Sequence, residues 1–453
     1  MRLHKSKAGQ APFIPLFMKE LRDLFAGRAF WALILFMSPL VGYSFIQAVS
    51  LFSAASRSAL QFPALAAGLS PFDGIVVPTF GALYLAATLL FPFIAIRVIG
   101  AEKQNGGLKL LLQTPYKIPA IIGAKLLTLI TAWLFALIPC LSSLIIWVGL
   151  GGHLGTGETL NLLLGYLLYI LVISGISLFA AAITESSATA AIAALAFTIG
   201  FWVLDFAANQ GGIIQSIAAL SLTAVLHSFE QGIFSLSITL GALAAAAGLL
   251  AISGVWILYG MPAVRKFIIS VVITAVTVIV MLGVSRIHMY GDMTEDRRNS
   301  FSAADSAVLS KIKQKLTITV DLLPDDPRYM DFNRSILGKL VRIMPDVKVE
   351  NVSDKSTLFG TVDENYGLAT YTYLGREATS RSTSEEEVLP IIYSLAGVSP
   401  PSSDNVKYPG YPLVADASQA GAWFYLGFPL LILAVWAFNS DLPQRLGKFM
   451  KSK

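Results

Sequence analysis

Long apolar runs separated by short polar segments dominate the chain. A hydrocarbon core about 30 Å thick needs roughly 20 apolar residues in helical form, because a helix satisfies its own backbone polar groups where water is absent. The pattern therefore predicts an α-helical integral membrane protein with about eight transmembrane helices. The predicted helices lie at residues 30–51, 76–96, 120–148, 160–183, 188–204, 236–258, 267–284 and 422–438.

The basic residues indicate how these helices are oriented. If the N-terminus is cytoplasmic, the segments on the cytoplasmic side hold clusters of lysine and arginine, among them 97–125 and the C-terminal tail. The short loops on the other side hold one basic residue, Arg57. This asymmetry follows the positive-inside rule and predicts both termini in the cytoplasm. It also explains the pI near 9.1, so no nucleic-acid partner is expected.

One long polar region, residues 286–420, lies between the last two predicted helices. It holds 19 of the 28 acidic residues and is long enough for a core of its own. Residues 291–298 have the composition of a linker. Alternating and helical patterns then predict a small extracytoplasmic α/β domain. Its predicted strands are 316–323, 347–352 and 368–374, and its predicted helices are 303–315 after a Ser302 cap, 329–344, and one opened by Thr383 with Glu386 in a capping box.

Composition and motifs argue against an enzyme. Hydrophobic residues make up 55% of the chain and charged residues 13%, against about 25% charged in soluble domains. The one cysteine, Cys140, lies in an apolar run, and the four histidines are scattered, so no metal-ligand spacing is present. The glycine-rich segment 151–157 lacks the Gly-Lys-Ser/Thr ending of a Walker A loop and reads as a short outer loop. No cofactor is expected in this chain, and ATP-driven work would need another polypeptide.

The first cytoplasmic segment, 1–29, is predicted to contain an amphipathic helix that lies in the membrane interface. The charged residues, Glu20 among them, are assigned to its polar surface. The alternative is a simple anchor for the first span. The apolar face is formed by Phe13, Phe17, Leu21, Leu24 and Phe25.

The cytoplasmic loop 97–125 is more elaborate than a plain connector, with a glycine pair, a short amphipathic segment and a proline turn. It resembles the first cytoplasmic loop of type 2 ABC exporter permeases, which forms a coupling helix on the ATPase subunit. The resemblance implies the same role here. It is carried by Glu102, Gly106, Gly107, Leu110, Leu111, Leu112, Pro115 and Tyr116, with Gly123 and Lys125 in the return helix.

The segment 220–233, between the fifth and sixth spans, is similar to the outer hairpin of the same family. His227, Phe229 and Gly232 carry this likeness. The alternative is an ordinary semi-polar connector covered by protein. Three carboxylates at span ends, Glu185, Asp205 and Glu230, are interpreted as solvated.

The C-terminal part has a likeness of its own, carried by Asp292, Thr294, Glu295, Asp296, Arg297 and Ser302, the strand 316–323 and the segment 371–395. These residues resemble the auxiliary subunit of gliding-motility ABC permeases. The chain thus looks like a GldF-like permease joined to a shortened GldG-like partner. The implied organisation is a six-span permease at 30–260, a seventh span at 261–285, the outer domain at 286–420, and an eighth span with a basic tail at 421–453. The outer domain is much shorter than in the auxiliary family.

The resemblance implies the membrane subunit of an ATP-driven exporter in a bacterial inner membrane. Charged residues are sparse within the apolar spans, which favours an amphiphilic, lipid-like or peptide substrate over an inorganic ion. ATP and Mg would be bound by a partner ABC ATPase present in two copies, and the permease would pair with itself or with a related chain in the lipid bilayer. The alternative is a mechanical or signalling protein whose outer domain, 286–420, acts on an envelope protein without transport.

Overall fold

The computed structural model describes residues 12–207, 221–287, 289–323, 326–344, 346–352, 366–401 and 408–438. Within these ranges, eight helices are long and apolar enough to cross a membrane, which confirms the predicted fold class. Spans 5 and 6 match their predicted bounds within one residue, and the other six are longer than predicted. From span 1 to span 8 they are Arg28–Gln61, Phe72–Gln104, Ile118–Gly149, Thr156–Ile183, Ser187–Leu204, Leu236–Ile257, Ala263–Val284 and Ala420–Phe438.

Prolines interrupt spans 2 and 3. Span 2 breaks at Leu90, two residues before Pro92, and span 3 breaks at Leu137, two residues before Pro139. Proline lacks the amide hydrogen that a continuous helix would use and clashes with the preceding turn, so each break has a local cause.

Span 4 forms the centre of the bundle, and small residues bring its neighbours close. Gly165 leaves room for the Phe229 ring, and Gly175 lies against Leu249 of span 6. Close approach at small residues is how helices pack where lipid removes the hydrophobic driving force.

The last two spans pack against different partners. Span 7 contacts span 6, where Thr277 fits against Gly248, and none of its residues is fully buried. Span 8 packs on span 1, where Phe424 lies over Gly42 and its carbonyl accepts a hydrogen bond of 2.6 Å from the Ser38 hydroxyl. The outer domain therefore lies between two spans, 7 and 8, that pack on different helices of the bundle.

Two short helices, α1 and α2, lie at one end of the bundle, which we call the α1 end. Helix α1 is Phe13–Ala26 and helix α2 is Gly107–Gln113. The opposite, domain end carries helix α3, Leu222–Glu230, which leads into strand β1, Ile233–Ser235.

The polar region folds into a four-stranded sheet with helices packed on it. Inward residues such as Ile318 and Tyr371 form a core separate from that of the spans. The strands are β3 (Leu316–Val320), β4 (Val347–Asn351), β5 (Ala369–Tyr373) and β6 (Arg376–Ser380). Their order in the sheet is β4-β3-β5-β6, with β3 and β4 parallel and the other pairs antiparallel. The helices are α4 (Ala303–Leu309), α5 (Pro327–Phe332, a wider turn Asn333–Leu337, and Gly338–Ile343) and α6 (Glu385–Ala396).

The three predicted strands and the helix at 329–344 are confirmed, whereas β6 was not predicted. The Ser302 cap is confirmed, since its hydroxyl accepts from the Asp305 amide at 3.1 Å, but the helix after it ends at Leu309. The capping box of Thr383 and Glu386 is wrong: Ser384 is the N-cap, and no side chain caps the helix.

The predicted linker at 291–298 is wrong. Strand β2, Tyr290–Asp292, pairs antiparallel with β1, and Asp292 then closes a tight turn. Its carboxylate accepts hydrogen bonds from the Thr294 amide at 3.1 Å and the Asn299 amide at 3.0 Å. The polar residues that suggested a flexible linker instead satisfy the backbone of an ordered turn.

Candidate coupling site and outer junction

A buried cluster of charges joins α1 to spans 2 and 3. Lys125 lies in span 3, and its side chain is 0% exposed. Its ammonium group lies 3.1 Å from both carboxylate oxygens of Glu20, 2.6 Å from Glu102 and 2.9 Å from the Val98 carbonyl. The two carboxylates and the carbonyl together supply the acceptors that a buried ammonium group requires.

The assignment of Glu20 to the polar face of α1 is wrong. Leu16, Glu20 and Leu24 follow one another at four-residue spacing and form the buried face of the helix. Glu20 is tolerated there because Lys125 compensates its charge. Removing one partner of such a buried pair leaves the other charge uncompensated, which typically costs about 3–5 kcal/mol.

Lys19 extends the cluster towards solvent. It forms an ion pair with Glu102 and lies 3.2 Å from Glu20 and 3.1 Å from Asp23. Burial lowers the pKa of Lys19, but the hydrogen bond to Glu102 and the nearby carboxylates outweigh it, so the net effect raises the pKa above its ordinary value. Lys19 therefore stays charged at neutral pH.

Helix α2 begins at the predicted glycine pair. Gly106 has a φ of +76°, a conformation that residues with a side chain rarely adopt, and the Gly107 amide donates to the Asn105 side chain at 3.0 Å. Leu108 is buried against the bundle, whereas Leu110 is 67% exposed and points away from it. The helix is thus anchored on one side and presents an apolar residue on the other.

The remaining predicted coupling residues turn towards α1. Leu111, Leu112 and Tyr116 pack with Phe17 around a small core of Leu16, Ile121 and Ala124. Pro115 is exposed in the turn that follows α2. The structure therefore brings the two predicted elements, the N-terminal helix and the loop helix, into direct contact.

The rest of α1 packs on span 1 and span 3. Leu24 is buried, Leu21 is partly exposed, and the Phe25 ring lies edge-on to Phe30 and Phe135 at 5.2 and 5.5 Å. The helix is held by the protein along one whole side, which goes beyond a simple anchor for span 1.

At the domain end, the predicted hairpin residues have distinct roles in packing. Phe229 is fully buried against Gly165, and Gly232, with a φ of +79°, accepts the Met293 amide at 2.9 Å. His227 is largely exposed and lies 3.0 Å from Glu230.

The interpretation of Glu230 as solvated is wrong. Its side chain is only 14% exposed, and it accepts a hydrogen bond of 3.1 Å from the Tyr166 hydroxyl of span 4. Glu185 is exposed as expected. The side chain of Asp205 lies outside the described part of the structure.

Arg298 forms an outer junction that the sequence did not predict. Its guanidinium forms an ion pair with Asp73 of span 2, lies 3.1 Å from Glu158 of span 4, and donates to Ser70 at 3.3 Å. Burial, reinforced by the nearby Arg334, lowers the pKa of Arg298 to about 10, so it remains charged at neutral pH. One side chain of the domain thereby fastens the ends of two spans.

Two further contacts support this junction. His153, in the predicted outer loop, lies 2.7 Å from Glu295 and stacks on Tyr411 with ring centres 3.7 Å apart. The Asn299 side chain donates to the Gln231 carbonyl at 2.6 Å. The only hint in the sequence was the presence of isolated acidic residues, Asp73 and Glu158, beside long apolar runs.

These features define a multi-pass membrane protein with a short helix that exposes an apolar residue at one end and an attached domain at the other. A family model described as ABC-2 family transporter protein matches residues 14–287, more than half of the chain, and the chain belongs to this family. It is a membrane permease subunit of an ABC transporter and works with an ABC ATPase. The match includes span 7 and ends at the start of the outer domain. No curated protein and no solved structure matches the chain.

Proposed function

We propose that this permease subunit is an exporter driven by a separate ATPase that docks on α2. The observation that carries the proposal is the orientation of α2: Leu110 faces outward, whereas Leu111 and Leu112 face α1. An exposed apolar residue on a helix anchored from behind is suited to a protein partner.

Movement of α2 would reach the spans through two connections. The apolar contacts of Leu111, Leu112 and Tyr116 pass it to α1. Glu102, at the end of span 2 that leads into α2, passes it through Lys125 to span 3 and Glu20. Because these groups are buried and mutually satisfied, α1 and the ends of both spans would move together.

The sides of the membrane follow from the same proposal. Docking of an ATPase places the α1 end in the cytoplasm, with both chain termini there, and the outer domain outside a bacterial inner membrane. The lysines and arginines of 97–125 support this orientation. Two ATPase subunits would bind ATP and Mg, and a second permease chain, identical or related, would complete the assembly. The GldF-like and GldG-like division of the chain remains part of this proposal.

The test is ATP-driven movement in vesicles. The chain and its ATPase are reconstituted together, and the movement of a fluorescent amphiphile is followed with ATP and with a non-hydrolysable analogue. ATP-dependent movement that stimulates hydrolysis supports export. Hydrolysis without movement of any amphiphile or peptide tested contradicts it.

A second candidate function is mechanical or signalling work on an envelope protein. The observation that favours it is the outer junction, since Arg298 ties the domain directly to spans 2 and 4. A movement of these spans would therefore displace the domain. Stimulation of ATP hydrolysis by an envelope protein alone, with no substrate moved, would favour this candidate over export.

A further inference from the structure

A cavity of about 450 Å³ lies between spans 2 and 5 and helix α3. This volume falls within the range of small-molecule sites. Its walls include Pro78, Gly81 and Tyr84 of span 2, Trp202 of span 5, and Leu226 and Glu230 of α3. The lining is thus largely apolar and aromatic, with one carboxylate.

The cavity lies below the domain end of the bundle rather than on its rim. Phe229, adjacent to Glu230, is inserted against Gly165. Gly165 is the tenth residue of span 4, which begins at Thr156, so at 1.5 Å per residue it lies about 14 Å along the helix from that end. A carboxylate at this depth is energetically costly, so its presence indicates a function.

Glu230 is held in place by a hydroxyl and an imidazole, and the imidazole carries a charge only when it is protonated. The Tyr166 hydroxyl donates to one carboxylate oxygen at 3.1 Å, and the same hydroxyl lies 2.8 Å from the Phe80 carbonyl. His227 lies 3.0 Å from the other oxygen. Among the described residues that line the cavity, none is lysine or arginine.

Two aromatic rings complete the cavity wall. The rings of Tyr84 and Trp202 lie 5.7 Å apart, and the indole N–H of Trp202 donates to the Tyr84 hydroxyl. Faces of tyrosine and tryptophan attract cations through the ring quadrupole, most strongly where water is excluded. Aromatic faces and a carboxylate together favour a positively charged apolar guest.

We propose that this cavity binds a lipophilic organic cation, with the cationic centre between Glu230 and the aromatic pair. The Pro78, Gly81 and Leu226 wall accommodates its apolar groups. The cation is a transported substrate only if the proposed export function holds, but binding itself does not depend on the ATPase.

The test uses two probes of nearly the same shape and opposite charge. Tetraphenylphosphonium and tetraphenylborate are measured by equilibrium dialysis against the purified full chain in a neutral detergent at about pH 8, above the ordinary titration range of histidine. We expect saturable binding of tetraphenylphosphonium. Tetraphenylborate should bind at least about tenfold more weakly. Equal binding of the two probes overturns the proposal.

Two variants separate charge from space. Glu230→Gln keeps the shape of the side chain and should weaken tetraphenylphosphonium binding about tenfold or more, whereas Glu185→Gln, an exposed carboxylate at the α1 end, should not change it. Gly81→Leu should block the cavity, because the new side chain would stand in the cavity wall. The fold should stay intact, because a Cβ on Gly81 meets no atom within 4 Å. Gly241→Leu, also unobstructed but outside the cavity, is its control.

The outcomes distinguish this inference from the proposed function. Unchanged binding in both Glu230→Gln and Gly81→Leu overturns the cation site while leaving the permease assignment untouched. Loss of binding in both, with the two controls unchanged, supports the site even if no ATP-driven movement of the cation is found.

Discussion

Lys125 and Glu20 meet in the interior of the protein, with the ammonium nitrogen 3.1 Å from each carboxylate oxygen although 105 residues separate them in the chain. The pair fixes an N-terminal helix to span 3. Glu102 shares the same ammonium group at 2.6 Å, so the helix, span 2 and span 3 converge on one charge.

Replacing Lys125 should therefore destabilise this end of the bundle. Lys125→Met leaves the buried carboxylates of Glu20 and Glu102 with only the partly exposed Lys19 as counter-charge, at an expected cost of about 3–5 kcal/mol. The thermal midpoint of the purified chain in detergent measures it. Lys117→Met, an exposed lysine in the preceding loop, is the matched control.

A double variant checks the cause. Glu20→Gln combined with Lys125→Met removes one of the two buried carboxylates, so Glu102 alone remains charged there. The double variant should therefore recover part of the lost stability. If Lys125→Met alone leaves the midpoint where it is in the unchanged protein, the cluster does not hold α1 in place.

Leu110 should govern coupling rather than folding. Leu110→Glu places a charge at the proposed ATPase contact, so stimulation of ATP hydrolysis should fall about tenfold while membrane insertion and thermal stability stay unchanged. Leu374→Glu, an equally exposed leucine in the outer domain, should have no effect on hydrolysis. Full stimulation in Leu110→Glu would argue against docking on α2.

Arg298 should control attachment of the outer domain. Arg298→Gln leaves Glu158 without its guanidinium partner, so amides of 231–235 and 289–300 should exchange with deuterium about tenfold faster. The sheet core around Ile318 should stay protected, because it packs separately. Arg334→Gln, more exposed and 3.5 Å from Asp73, is the control, and equal exchange in both variants would contradict a specific role of Arg298.

Asp326 should make the stability of the outer domain depend on acid pH. Hydrogen bonds from the Arg328 side chain, the Tyr366 hydroxyl and the Arg328 amide lower the pKa of Asp326 from 3.8 to about 2. The stabilisation is present above the ordinary pKa and is lost as the pH falls through about 2. After allowance for solvent screening, it should amount to about 1 kcal/mol, similar to the loss of a helix N-cap.

The measurement compares Asp326→Asn with the unchanged chain between pH 7 and about pH 2. The variant should unfold more easily at neutral pH, and the difference should shrink at the acid end. Asp331→Asn, an exposed residue of the same helix, serves as the control. A difference that stays constant with pH would mean that Asp326 acts through shape and not through charge.

Much of the fold follows from local patterns. The spans appear in the sequence because length and apolarity are properties of one segment, and the alternation of Leu316–Val320 likewise marks a buried strand. The helix start near Thr383 was misplaced by one residue because Thr383 and Ser384 are adjacent and both are good caps.

The charged contacts could not be predicted in the same way, because their partners are distant in sequence. Glu20 was assigned to solvent by its residue type, and only Lys125 in a later span explains its burial. Arg298 lay in a run whose composition suggested a linker, and its partners Asp73 and Glu158 belong to spans far upstream.

Co-purification after mild solubilisation tests the central claim most directly. The account predicts that an ABC ATPase accompanies the unchanged chain in comparable molar amounts and is largely lost with Leu110→Glu, while Leu374→Glu retains it. If no ATPase accompanies the unchanged chain, or if Leu110→Glu retains it fully, docking through α2 is contradicted.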